Sequence, residues 1–295
     1  MRMESSFIQL APGERIMSTA TLTNKLQLSS VADSALKAAA GFWFLVAVIG
    51  QWAFLYYLVA FYGPSTFRGN FQAWTRNTFL RMSYVRGDTA GNLAFAAHAL
   101  LASVIAFGGA IQLIPQIRTR AISVHRWVGR VFFVTALGLS ASGLYMEWVR
   151  GDRENIVSGL AITLNAVLII LFCVLAWRSA RAHEMCTHRR WALRSYLVAN
   201  AQWFTRVGFL AWMILRGLLG GREGLDGPFA SFLDFGCYLV PLAILELYLR
   251  AKESGTPNGR YAMAGSLVVL TVLMGVGIFG IATFMWLPLL EGNLK

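Results

Sequence analysis

The sequence predicts an all-α membrane protein, a polytopic bundle of about seven transmembrane helices. Three observations carry that prediction. Of 295 residues, 57% are hydrophobic and only 14% are charged, where soluble domains average about 25% charged. Mean hydropathy is +0.56. Apolar stretches of about 20 residues, the length that crosses a bilayer, recur along the chain, and the basic residues gather between them. This composition excludes a soluble enzyme, a disordered chain and a DNA-binding domain. The net charge of +12 reads as an orientation signal rather than as a footprint for nucleic acid.

The chain divides into a polar N-terminal tail (residues 1–37), a membrane domain (38–290) and a short C-terminal tail (291–295). Residues 1–37 are rich in Ser, Thr and Ala, and the reading leaves them unstructured. Four spans contain no Asp, Glu, Lys or Arg: Ala38 to Phe67, Thr89 to Ile117, Asn155 to Trp177 and Tyr261 to Leu290. Val131 to Met146, extended to Trp127 and Trp148, is a fifth stretch. Two more carry charges inside otherwise apolar sequence: Trp191 to Leu215 with Arg194 and Arg206, and Pro228 to Leu249 with Asp234 and Glu246. In chain order Trp191 to Leu215 is the fifth span, Pro228 to Leu249 the sixth and Tyr261 to Leu290 the seventh.

Orientation follows from the connections. The face holding the N-terminal tail (the tail face) collects Arg118, Arg120, Arg126, Arg130, Arg178, Arg181, Arg189, Arg190, Arg250, Lys252 and Arg260. The positive-inside rule makes it cytoplasmic, with the N-terminus inside and the C-terminus outside. The expected location is the inner (cytoplasmic) membrane, with the lipid bilayer as the first partner. On the opposite face (the loop face), the connection Gly63 to Thr89 is long. Its Phe71, Trp74 and Phe79 suggest a segment lying in the interface. Trp127, Trp148, Trp177, Trp191 and Trp286 sit near span ends and read as an aromatic belt.

Ionisable residues inside a bilayer are costly and default to functional candidates. His98 lies within the second span, about 13 Å from the loop face at the usual helical rise. His125 opens the third span at the tail face, and His183 and His188 lie between the fourth and fifth. Helical spacing puts His125, Gly129, Ala136, Gly143 and Glu147 on one stripe. His188, Ser195, Gln202 and Arg206 form a second, and His98, Ala102, Ile105, Gly109 and Gln112 a third. Polar and small positions turn toward neighbouring helices, so the second, third and fifth spans share an interior.

Two candidate layers result. Near the tail face, His125 and His188, with His183 in reserve, pair as axial ligands of one b-type haem, or else bind lipid phosphates beside their arginines. His98 lies in the other half of the membrane and cannot share that haem. In the loop-face half, His98, Glu147, Gln202, Arg206 and Asp234 form a candidate intramembrane polar site, with Arg206 and Asp234 as the expected ion pair. The first layer suggests membrane electron transfer with a redox partner. The second suggests a transporter or small-molecule-binding protein. Pro241, two turns from Asp234, is placed to kink the sixth span.

Other motifs point away from chemistry. Cys173, Cys186 and Cys237 form no CxxC pair. His183-Glu184 is one residue out of register with His188 for an HExxH zinc motif. Gly275 to Gly280 spells GxGxxG, but it lies inside a span with no preceding strand, so it reads as close helix packing.

The segments His125-Arg126-Trp127-Val128-Gly129-Arg130 and His188-Arg189-Arg190-Trp191, with Arg194-Ser195-Tyr196, Arg206, His98 and the Gly108-Gly109 pair, resemble a family of bacterial predicted membrane proteins, domain of unknown function 2306. The resemblance covers the second through fifth spans. Ala192 stands where that family typically has Met. It implies a membrane helix bundle and no particular activity.

Overall fold

The computed structural model describes residues 12–294, except 79, 81, 153 and 220–227. Only helices and their connections occur among them. They run α1 (Pro12–Phe67), a 3-10 turn (Phe71–Arg76), α2 (Thr89–Leu113), α3 (Pro115–Arg120), α4 (Ile122–Leu144) with a π turn (Tyr145–Val149), and α5 (Ile156–Arg181). Then follow α6 (Met185–Ala199), α7 (Ala201–Leu218), α8 (Pro228–Ser254), α9 (Pro257–Ile281) with a π turn (Ala282–Trp286), and α10 (Leu287–Leu294). Six helices among the described residues are long and apolar enough to cross a membrane. The chain is an integral, multi-pass membrane protein.

Local chemistry places the helix ends. Asp88 caps α2, accepting from the Gly91 amide at 2.8 Å. Asn155 and Ser158 form a reciprocal capping box on α5. Thr256 caps α9 with Pro257 at its first position. Pro115 ends α2 by holding Ile114 extended.

Packing corrects several expectations, the first at the N-terminal tail. The tail is not irregular from residue 12 onward. At about 1.5 Å per residue the 56 residues of α1 run some 84 Å, far more than a bilayer needs. Ala32, Leu36 and Ala39 recur at helical spacing and are buried, Leu36 and Ala39 against Met263, Ala264 and Leu267 of α9. Asp33 pairs with Arg260 at 3.3 Å. The polar average of this segment conceals an apolar stripe. Residues 1–11 lie outside the described residues. At the other end, α10 carries helix through the expected C-terminal tail to Leu294.

The second correction concerns the fifth span, which is two helices, α6 and α7, broken at Asn200. Asn200 sits at φ −98° and ψ 13°, and its Nδ2 donates to the Tyr196 carbonyl at 2.8 Å. Side-chain amides that compete for backbone groups interrupt helices in this way. At the break the Val198 carbonyl accepts from Asn165 of α5 at 3.3 Å, since hydrocarbon supplies no substitute partner.

Helix α9 is the central strut, packing against both α1 and α7, while α2 packs between α1 and α4, and α6 against α5. The glycine motif serves that packing. A Cβ on Gly277 would strike the Val207 backbone carbonyl, and one on Gly280 would strike Ile214 at 2.6 Å, whereas Gly275 faces open space. At the loop face, the 3-10 turn inserts into the bundle instead of lying in the interface. Trp74 is fully buried and donates to Ser65 at 2.8 Å, and Asn77 donates to both Tyr57 and Tyr62 at 3.0 Å. Phe71 packs against Trp74, and Phe79 lies outside the described residues. Trp286 is likewise in the core, stacked on Phe54 and Tyr57. Trp127, Trp148 and Trp177 are exposed at span ends, as a belt requires. Arg150 is almost fully buried beside the Asp88 cap, bonding Asp88 at 2.9 Å, Asn92 at 2.8 Å and the Met82 carbonyl at 2.8 Å.

Two measurements test this account. Gly277→Ala overpacks a backbone contact that cannot swing aside and costs about 1–3 kcal/mol, while Gly275→Ala costs nothing measurable. Equal thermal shifts in the two variants would contradict the α7–α9 contact. The Gly91 amide, then the Arg150 guanidinium, holds the Asp88 carboxyl below the usual carboxylate range. A lowered native value contributes stability above the ordinary value of about 3.9, lost as pH falls through the native one. Asp88→Asn therefore melts below wild type at neutral pH, and the gap closes below about pH 4. A gap independent of pH would sink the assignment.

Candidate functional site

The tail-face candidates lie on α4 and α6. His125 lies in the first turn of α4, held there by the Gln112 amide of α2, which donates to the His125 carbonyl at 2.7 Å. Its Nδ1 is buried without a hydrogen-bond partner, and it feels the charges of His188, Arg118 and Arg126. His188 approaches from α6, with Nδ1 2.9 Å from the Ala176 carbonyl of α5. In the tautomer that donates this bond, Nε2 keeps its lone pair. The two histidines lie within electrostatic reach of each other. His183 is not part of that pair. It occupies the turn between α5 and α6 at φ +61°, and its side chain is exposed.

The loop-face layer is only partly assembled. His98 of α2 lies 2.9 Å from Ser142 Oγ of α4, and Gly143, one residue on, faces the same imidazole. The α2 and α4 stripes therefore meet as their small residues predict. Arg206 of α7 places its guanidinium over the Phe54 ring of α1, 5.6 Å from the centroid. Its Nη1 donates to the Gln202 carbonyl at 2.7 Å and lies 3.3 Å from Gln202 Oε1. Its charge reaches His98, Tyr57 and Tyr62. His98, Gln202 and Arg206 form one neighbourhood.

Asp234 does not join them. Among the described residues no ion pair links it to Arg206. Its electrostatic neighbour is Glu154, just before α5, and its carbonyl accepts from the Cys237 thiol. The stripe on α8 that carries Asp234 turns toward α5 rather than toward α7. Glu147 is buried on the π turn after α4, against Gly159 of α5. The interior ion pair that does form joins the other two charges of these spans: Arg194 Nη2 lies 2.6 Å from Glu246 Oε1, with Arg194 also stacked on Trp191. Pro241 lies inside α8 without ending it.

Two buried polar groups, on α1 and α7, are not among the candidate residues read from the sequence. Gln51 of α1 is fully buried and accepts from the Tyr196 hydroxyl at 3.0 Å, while its Nε2 has no partner. Trp203, 2% exposed, likewise leaves Nε1 unpaired. Gln51 was legible as an uncharged polar residue inside a span. Trp203 resembles any core aromatic, and only its unpaired N–H distinguishes it.

Among the described residues, no group of three or more His, Cys, Asp or Glu converges to hold a metal ion, while an axially ligated haem needs only two histidines. No curated protein and no solved structure matches the chain. Residues 95–225, from α2 to just beyond α7, match the family model described as a predicted membrane protein (DUF2306), the family that the histidine and tryptophan motifs resemble.

Proposed function

We propose that this protein is a membrane electron-transfer protein with one b-type haem near the tail face, which His125 and His188 would hold. The observation that carries the reading is the orphaned, buried Nδ1 of His125 beside His188, itself anchored through its other ring nitrogen. A ligating histidine commonly gives its second nitrogen to a backbone carbonyl, which sets the tautomer and the ring orientation. Ala176 is placed to do that for His188. Arg118 and Arg126, near His125, suit the propionates, since guanidinium matches carboxylate geometry. When bound, the haem supplies a one-electron carrier between a reduced and an oxidised partner. The chain's own residues hold it, orient it and set its charge environment. The positive tail face suits the cytoplasmic side of the inner membrane.

A second reading, binding of a small molecule in the loop-face half, stands on a separate observation. Arg206 has no carboxylate partner among the described residues, and a charge carried within a membrane domain is costly unless compensated. That site uses His98, Gln202 and Arg206, without Asp234.

Purified protein expressed with sufficient haem is expected to show a Soret band between roughly 400 and 430 nm, as haem with axial histidine ligation is strongly coloured. His125→Ala and His188→Ala each abolish it, and His183→Ala leaves it intact. Folded wild-type protein without the band, or a band that survives loss of both histidines, would exclude this function.

A further inference from the structure

The seam between α1 and α7 holds a permanent cation whose counter-charge is missing among the described residues. Three other arginines of the bundle and its ends are matched to acids: Arg150 to Asp88, Arg194 to Glu246 and Arg260 to Asp33. Arg206 is not. Its electrostatic neighbours are Tyr57, Tyr62 and His98, and among the described residues its hydrogen bonds go only to Gln202. The guanidinium has five N–H donors, and those two contacts occupy one nitrogen. Gln202 is exposed and Arg206 half-buried, so the group can be reached from outside the packed core.

Unsatisfied donors accompany the cation on the same two helices. Trp203 precedes Arg206 by three residues, which makes them neighbours on α7. Gln51 precedes Phe54, the ring beneath Arg206, by the same spacing on α1. The indole of Trp203 reaches across to α1, where a Cβ on Gly50 would meet it at 2.9 Å. Both the Trp203 Nε1–H and the Gln51 Nε2–H are buried and unpaired. A ligand at this place must therefore bring acceptors and negative charge.

Resting on the small-molecule reading above, we propose that Arg206, supported by Trp203 and Gln51, binds a monovalent carboxylate within the membrane domain. One permanent positive charge calls for one negative charge. The planar fork of a guanidinium is matched by two carboxylate oxygens and not by a single-atom anion. The carboxylate can arrive from water as a short acid or from the bilayer as a fatty acid, and the two sources are tested separately.

The test is thermal unfolding of the whole protein in phosphatidylcholine nanodiscs at pH 7 and constant ionic strength. Sodium acetate probes the aqueous source, sodium decanoate the lipid source, and sodium chloride is the reference. A ligand that binds only the folded state raises the midpoint in proportion to the logarithm of its concentration. Wild type and Asp234→Asn are expected to respond to at least one carboxylate and not to chloride. Arg206→Gln loses the response. Arg206→Lys keeps the charge without the fork and loses the preference for carboxylate over chloride. Trp203→Phe weakens the response about tenfold, as expected when a bond to a charged group is removed. Without ligand, Arg206→Gln melts at or above wild type, because it removes an uncompensated charge, whereas a purely structural arginine would lower the midpoint. The Soret band in Arg206→Gln reads the haem site independently, so loss of one site is not mistaken for loss of the other. No response to either carboxylate, an equal response to chloride in wild type, or an unchanged response in Arg206→Gln overturns the proposal.

Discussion

Hydrocarbon forms no hydrogen bonds, so every polar group this chain carries into the membrane must be answered from within the chain. Much of the bundle is arranged around that demand. Where the backbone is interrupted at Asn200, the Asn200 side chain takes the Tyr196 carbonyl and Asn165 takes that of Val198. Arg194 is answered by Glu246, and Arg150 by Asp88, Asn92 and the Met82 carbonyl. Asn77 enters from a connection and answers two tyrosines of α1 at once. Against so consistent a pattern, the groups left unanswered are informative. Among them are His125 Nδ1 at one end and Trp203 Nε1 and Gln51 Nε2 toward the other, with the Arg206 guanidinium over Phe54.

The two groups are mechanically separate. The histidine pair depends on the ends of α4 and α6, where short turns and the Gln112 contact hold the backbone. The Arg206 neighbourhood depends on the distance between α1 and α7, which α9 sets. Gly277 brings α9 against the α7 backbone, and Gly50 leaves room on α1 for Trp203 and Ile278. Large side chains then span the remaining gap, among them Phe54, Trp203 and Arg206. The loop-face turn closes the same region from above. Trp74 and Asn77 fix Tyr57 and Tyr62, two rings within reach of the Arg206 charge. A segment that reads in the sequence as an interfacial loop is thus part of the wall of the interior.

The legible and illegible parts of the site differ for a physical reason. Small-residue stripes on α2 and α4 and a glycine motif inside a span are local patterns, and each has its expected consequence in the helices. The partner of a charge is not local. Arg206 and Asp234 were the obvious pair because each would otherwise stand alone, but pairing depends on helix rotation. Turning α8 so that Tyr238 bonds the Ala161 carbonyl of α5 at 3.1 Å keeps Asp234 on the α5 side. The charge that meets α6 from α8 is Glu246, three turns further on.

Composition and periodicity by themselves determined the class, an apolar helical bundle with its basic residues in the connections. Those properties follow from what each residue gains or loses on entering lipid, whatever its neighbours are. They also determined which side chains were costly enough to deserve a role. Tertiary structure decided what composition cannot contain. It docked residues 27–37 on α9, broke the fifth span at Asn200, drew Trp286 and Trp74 into the core, and left Arg206 without Asp234. Each of these outcomes depends on which faces meet across the bundle, and that is a property of the packed helices together rather than of any one of them.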